Sequence, residues 1–184
     1  MNWNEIKRFP NIHYHVDVPW NYLEESLEHY NDGARGQLQL NPDFQRGHVW
    51  TREQQIAYVE FMLKVPQSGR EIYFNHPNWM GSFKGDFVLV DGLQRLTAAL
   101  AYIHNEIPAY GHLLKDMTGF EKRGKEHVIP SDVTFSFNIA KLKTRADVLQ
   151  WYLDFNAGGT PHAQSEIERV RDLLAQERTP NDHF

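Results

Sequence analysis

Asp91-Gly92-Leu93-Gln94-Arg95 follows the apolar run Phe87-Val88-Leu89-Val90 and opens a helical stretch. These residue types at this spacing suit an oxyanion. Gly92 lets the backbone turn tightly, Asp91 can cap the helix, and the amides of residues 92 to 94 point at whatever lies in front of them. Arg95, four residues after Asp91, presents a guanidinium fork to a phosphate or carboxylate from the same helix end. The blander alternative is that Asp91 only caps and Arg95 only pairs with it across the first turn.

Two more segments carry groups of the same kind. Gln45, Arg46 and His48 stand beside Trp50 in a stretch with no clear period, so this loop must be held by something. Asn156-Ala157-Gly158-Gly159-Thr160-Pro161-His162 combines two glycines with a following helix start, which again favours an anion. An ion pair for Arg46, core packing for Trp50 and a plain helix connection for residues 156–162 are the structural alternatives. Ten histidines are scattered without a recognised ligand motif, so no metal residues are assigned. No array of histidines with asparagine, and no carboxylate cluster beside a lysine, marks a nuclease centre.

Nineteen Lys and Arg against 24 Asp and Glu give a net charge of -5, which removes the bulk electrostatic argument for a general nucleic-acid or acidic-membrane binder. Two local basic segments remain as candidate DNA contacts: Lys122-Arg123-Gly124-Lys125 and Lys141-Leu142-Lys143-Thr144-Arg145. A solvated loop and an ordinary helix start explain the same residues. The absence of cysteine excludes thiol nucleophiles, disulfides and cysteine-held metals and makes the cytoplasm the default compartment. No basic start followed by an apolar core, and no apolar run of spanning length, is found, so neither a secretion signal nor a membrane partner is expected.

The elements that must position these groups follow from periodicity. Leu23, Leu27 and Tyr30 predict a short helix over Trp20 to Tyr30, stopped by Asn31-Asp32-Gly33. Gln37 to Leu40 alternates like a strand. Thr51 and Gln54 form a capping box before the stripe Ile56, Val59, Met62 and Leu63. Glu71 to Phe74 and Phe87 to Val90 read as strands, the second running through Asp91-Gly92 into a helix that ends near Asn105. Pro108 to Asp132 is too long for a structureless loop, which predicts a short helix or a mobile flap. Val133 to Phe137 alternates as a strand, and Thr144 caps a helix carrying Val148, Trp151, Tyr152 and Phe155. Thr160 caps the last helix, with Pro161 at its first position and Ile167, Val170, Leu173 and Leu174 as its stripe.

These elements predict one α+β domain, about five helices on a small mixed sheet, with the strand order undefined. Residues 1–34 form an N-terminal extension and first helix of the same domain, 35–176 the main body, and 177–184 a polar tail.

Asn41-Pro42-x-Phe44-Gln45-Arg46-x-x-Val49-Trp50, followed by Val90-Asp91-Gly92-Leu93-Gln94-Arg95-Leu96-Thr97-Ala98-Ala99-Leu100, resembles the N-terminal domain of GmrSD-type modification-dependent restriction enzymes. The resemblance runs from about residue 35 to 175. That family is similar in fold to the nucleotide-binding domain of the ParB partition protein and to sulfiredoxin. Its central motif is Asp-Gly-Gln-Gln-Arg, so Leu93 stands where the family has a glutamine. Its later asparagine and glycine segment looks like Asn156 to Pro161, with Glu166 near the place of a following glutamate.

The resemblance implies a stand-alone nucleoside-triphosphate-binding domain of phage or mobile-element origin, related to the regulatory part of these restriction systems. Gly92, Arg95, Gln45, Arg46, Asn156, Gly159 and Thr160 would face the phosphates, with Mg2+ bridging oxygens. If the triphosphate is hydrolysed, Asp91, Gln94 and Arg95 are the catalytic candidates and Glu166 a remote third. Amide bonds to a capping Asp91 would stabilise its charged form and lower its basicity, which favours Asp91 as an organiser. Relatives of the restriction type carry an HNH-like nuclease that this length leaves no room for, so autonomous restriction is not expected. Sulfiredoxin chemistry is set aside because it needs a cysteine. The alternatives are a DNA-binding module without turnover, resting on the two basic segments, and an inactive factor whose partner is a separate nuclease or host protein.

Overall fold

In a computed structural model of the chain, the described residues are 2, 14–31, 33, 36–45, 47, 49–118, 129–157 and 164–178. They form five α-helices and five strands, the mixed α+β architecture expected. Strand β1 (Tyr14–Pro19) leads through a 3-10 turn (Trp20–Tyr22) into helix α1 (Leu23–Tyr30), followed by the two-residue strand β2 (Leu38–Gln39). Then come α2 (Arg52–Lys64), β3 (Glu71–Asn75), β4 (Phe87–Asp91) and α3 (Leu93–Ile103). A 3-10 turn at Leu114–Asp116, strand β5 (Thr134–Ala140), α4 (Arg145–Ala157) and α5 (Gln164–Arg178) complete the order.

The sheet order is β1-β5-β3-β4-β2, with β1 antiparallel to β5, β3 parallel to β5, β4 antiparallel to β3 and β2 parallel to β4. Alternation along each strand sends side chains to two faces. Phe135, Phe137 and Ile139 of β5 join Ile72, Phe74 and Leu89 in a core shared with Leu23 of α1, Met62 of α2 and Leu96 of α3. Val90 and Ala140 meet Leu149, Trp151 and Tyr152 of α4 and Val170 of α5 on the other face. No helix among the described residues is long and apolar enough to cross a membrane.

Local sequence accounts for several of these boundaries. Thr51 Oγ1 accepts from the Gln54 amide (3.3 Å) while Gln54 Oε1 accepts from the Thr51 amide (2.9 Å), closing the box that starts α2. Thr51→Ala is expected to cost about 1 kcal/mol, a drop of roughly 2–4 °C in a thermal melt. An unchanged melting point would show that the box adds nothing. Thr144 accepts from the Asp147 amide (3.1 Å) and caps α4 as its sequence requires.

Two expectations are corrected. The first helix is divided, with a 3-10 turn before α1, and strand β1 precedes it. Its alternation of Tyr14, Val16 and Val18 with His15 and Asp17 carried the strand signal. Asp91 does not cap α3: Gly92 is the N-cap residue, no side chain caps this end, and Asp91 is the last residue of β4. Residues 119–128 and the expected cap at Thr160-Pro161 lie outside the described residues.

Candidate functional site

The site is built at the end of β4. Leu89 faces Phe74 across β3, but Tyr73 faces Asp91, so β4 carries one extra residue at this point. Such a bulge bends the strand and re-aims the side chain beyond it. Gly92 then takes φ +111°, which side-chain-bearing residues rarely adopt, and a Cβ there would lie 2.6 Å from Ile72 Cδ1. Only glycine lets α3 start this close to β3.

One turn into α3, Arg95 Nη2 bonds Asp91 Oδ2 at 2.5 Å. Their side chains are 27% and 44% exposed, so the pair itself contributes no more than about 1 kcal/mol. Arg95 Nε is buried and has no protein partner. Tyr73 stands beside this pair, with its phenol pushed up by burial first and then by the Glu71 and Asp91 carboxylates, against the opposing effect of Arg95. It is a hydrogen-bond donor at neutral pH. Tyr58 of α2, also raised by burial and moderated by Arg95, donates to the Gly69 carbonyl at 3.0 Å.

The loop before α2 is held against this site. Gln94 Oε1 accepts from the amides of Val49 (2.9 Å) and Trp50 (3.0 Å), and its Nε2 donates to the Gly47 carbonyl (2.8 Å). Gln45 Nε2 donates to the carbonyls of Leu89 (3.1 Å) and Val90 (3.0 Å), at the bulge itself. From the other side, Arg169 of α5 donates to the carbonyls of Asp43, Phe44 and Gln45. Gln45, Asp91, Gly92, Gln94 and Arg95 are therefore brought together.

At the end of α4, Phe155 packs on Tyr73 with centroids 4.7 Å apart. Asn156 Nδ2 donates back to the Tyr152 carbonyl at 2.7 Å. Arg46, His48, Gly159 and Thr160 lie outside the described residues, as do Lys122, Arg123 and Lys125. The second basic segment is partly engaged. Arg145 bonds the Asp43 carboxylate (2.7 Å) and Glu177 (3.1 Å), and Lys143 donates to Asn78 Oδ1 (3.0 Å) and the Pro77 carbonyl. Lys141 precedes them, half-buried. Glu166 lies on α5, one turn before Arg169.

Sequence reasoning did not single out Tyr73, Asp43 or Arg169. Tyr73 carried only the signal of a large polar aromatic in a strand; Arg169 carried none beyond its helix.

A turn of strand into left-handed glycine into helix, with an arginine on the first turn and a facing loop tied down by two glutamines, is an arrangement chemically suited to an anion. The model of the GmrSD restriction endonuclease N-terminal domain matches residues 23–171, from the first residue of α1 into α5. The chain belongs to that family, a domain of modification-dependent restriction systems. No curated protein and no solved structure matches it significantly.

Proposed function

We propose that the chain is a nucleotide-binding regulatory domain, with the phosphates of a nucleoside triphosphate on Arg95 and the first amides of α3. The observation that supports this best is Arg95 itself. Its guanidinium is partly exposed at a helix start, its Nε lacks a protein partner, and one carboxylate holds it in place. A phosphate there gains charge-assisted bonds from a group already oriented.

Mg2+ would arrive with the triphosphate. Among the described residues no group of three or more His, Asp or Glu can hold a metal ion. Mg2+ keeps several waters and suits one carboxylate plus phosphate oxygens, so Asp91 is the residue to hold it. When bound, it neutralises phosphate charge.

The two side chains expected to orient a water are engaged, Asp91 with Arg95 and Gln94 with the loop. Binding is therefore the reading favoured first, with phosphate release as the second assay. Engagement of Arg145 and Lys143 leaves the DNA-binding alternative with less local support.

Calorimetric titration with GTP, CTP, ATP and UTP in the presence of Mg2+ tests the proposal. At least one is expected to bind, and Arg95→Ala to weaken it by about 10- to 100-fold at unchanged melting behaviour. Silence with all four, or equal affinity in the variant, sinks the assignment.

A further inference from the structure

On the face that carries Tyr73, the sheet continues outward as polar surface. Register places Asp91 opposite Tyr73, Tyr73 opposite Asn138, and Asn138 opposite His15. The row crosses four strands, about 14 Å at three interstrand spacings. Glu71, Ser136 and Asp17 form the adjacent row.

This surface has two tiers. Thr134, Ser136 and Asn138 of β5 are buried polar residues, costly on an interior strand unless bonded. Each is bonded to a longer side chain: Thr134 to Arg70 (2.7 Å), Ser136 to His15 (3.1 Å), and Asn138 to both His15 (3.1 Å) and Glu71. The buried tier fixes the direction of the upper one, the arrangement of a recognition surface. His15 and Asp17 remain 54% and 47% exposed.

The charges are sorted along the row. Asp17 is shared between Arg70 (3.1 Å) and His15 (3.3 Å), whereas among the described residues the Glu71 carboxylate bonds only the neutral Asn138 amide. Glu71 therefore has no cationic partner among the described residues, two residues from Tyr73. A phosphate is repelled there and drawn to Arg95. A group rich in hydroxyl donors is attracted, because an ionised carboxylate only accepts. Tyr73 already has Phe155 and Trp151 against its ring, so it offers no free stacking platform for a base.

We propose that Glu71 accepts from the vicinal hydroxyls of a ribose whose phosphates lie on Arg95, so that this domain selects ribonucleotides over deoxynucleotides. The assignment rests on the phosphate site proposed above and adds its sugar end. A carboxylate on ribose hydroxyls is a recurrent solution in nucleotide sites.

The test compares the tightest-binding ribonucleoside triphosphate, its 2′,3′-dideoxy counterpart and inorganic tripolyphosphate, each with Mg2+, on the wild-type chain and Glu71→Gln. Wild type should prefer the ribonucleotide over the dideoxy form by about tenfold or more. Glu71→Gln keeps an acceptor for Asn138 and should bring that preference close to one, with tripolyphosphate affinity unchanged. Glu71→Asp, which withdraws the carboxylate by one methylene, should also lower the preference and serves if the glutamine variant does not fold. No preference in wild type, or one that survives both substitutions while tripolyphosphate still depends on Arg95, overturns the sugar site and leaves the phosphate site standing. Failure of wild type to bind tripolyphosphate or any nucleotide overturns both.

Discussion

Gly92→Ala is expected to destabilise the chain by about 3 kcal/mol, because two penalties coincide at one Cβ. The backbone at φ +111° is strained for any L side chain, and the new methyl would meet Ile72 Cδ1 at 2.6 Å and Ile72 Cα at 3.3 Å. Ile72 is fully buried and has no room to retreat. Gly111 provides the control, since it has φ +81° with nothing within 4 Å of its Cβ position. Gly111→Ala should carry the backbone penalty alone. Urea unfolding of both variants separates the two terms, and equal losses would show that contact with Ile72 costs nothing.

Gln94→Ala should cost about 2–3 kcal/mol, since one amide makes three bonds to the loop backbone and its removal leaves two N–H groups and a carbonyl to find water. The effect should be local as well as global. Limited proteolysis is expected to cut the variant between Asn41 and Trp50 while α2 and α3 stay protected. Gln94→Glu keeps the two accepting bonds but sets a carboxylate against the Gly47 carbonyl, so its loss should fall between wild type and alanine. A loop equally protected in Gln94→Ala would show that Gln45 and Arg169 suffice to hold it.

What the sequence disclosed about this fold was local. The Thr51–Gln54 box, the Thr144 cap and the strand, glycine and helix at residues 87–103 are each written within a few residues, where spacing alone fixes geometry. Asp91 was read as a cap because Asp before glycine suits that place; the extra residue in β4 moves the cap one position on, and a bulge depends on a partner strand that periodicity does not identify. The uses of Gln94 and Gln45 were hidden for the same reason, since their partners lie 44 to 47 residues away. Arg145 looked like part of a basic patch until folding brought Asp43 against it. The Tyr73–Asn138–His15 row was invisible without the strand order, because residues separated by more than a hundred positions share one line only once β5 lies between β1 and β3.

The loop from Asn41 to Trp50 behaves as a bracket rather than a connection. One arm is fastened to α3 through Gln94 and the other to α5 through Arg169, with Arg145 of α4 gripping Asp43 on that second arm. Its middle is fastened to the bulge through Gln45. Helices on opposite faces of the sheet are thus joined through a few side chains around the β4–α3 turn. A displacement of that turn would stretch these bonds or carry α4 and α5 along, which ties the proposed phosphate site to helices on both sides of the sheet.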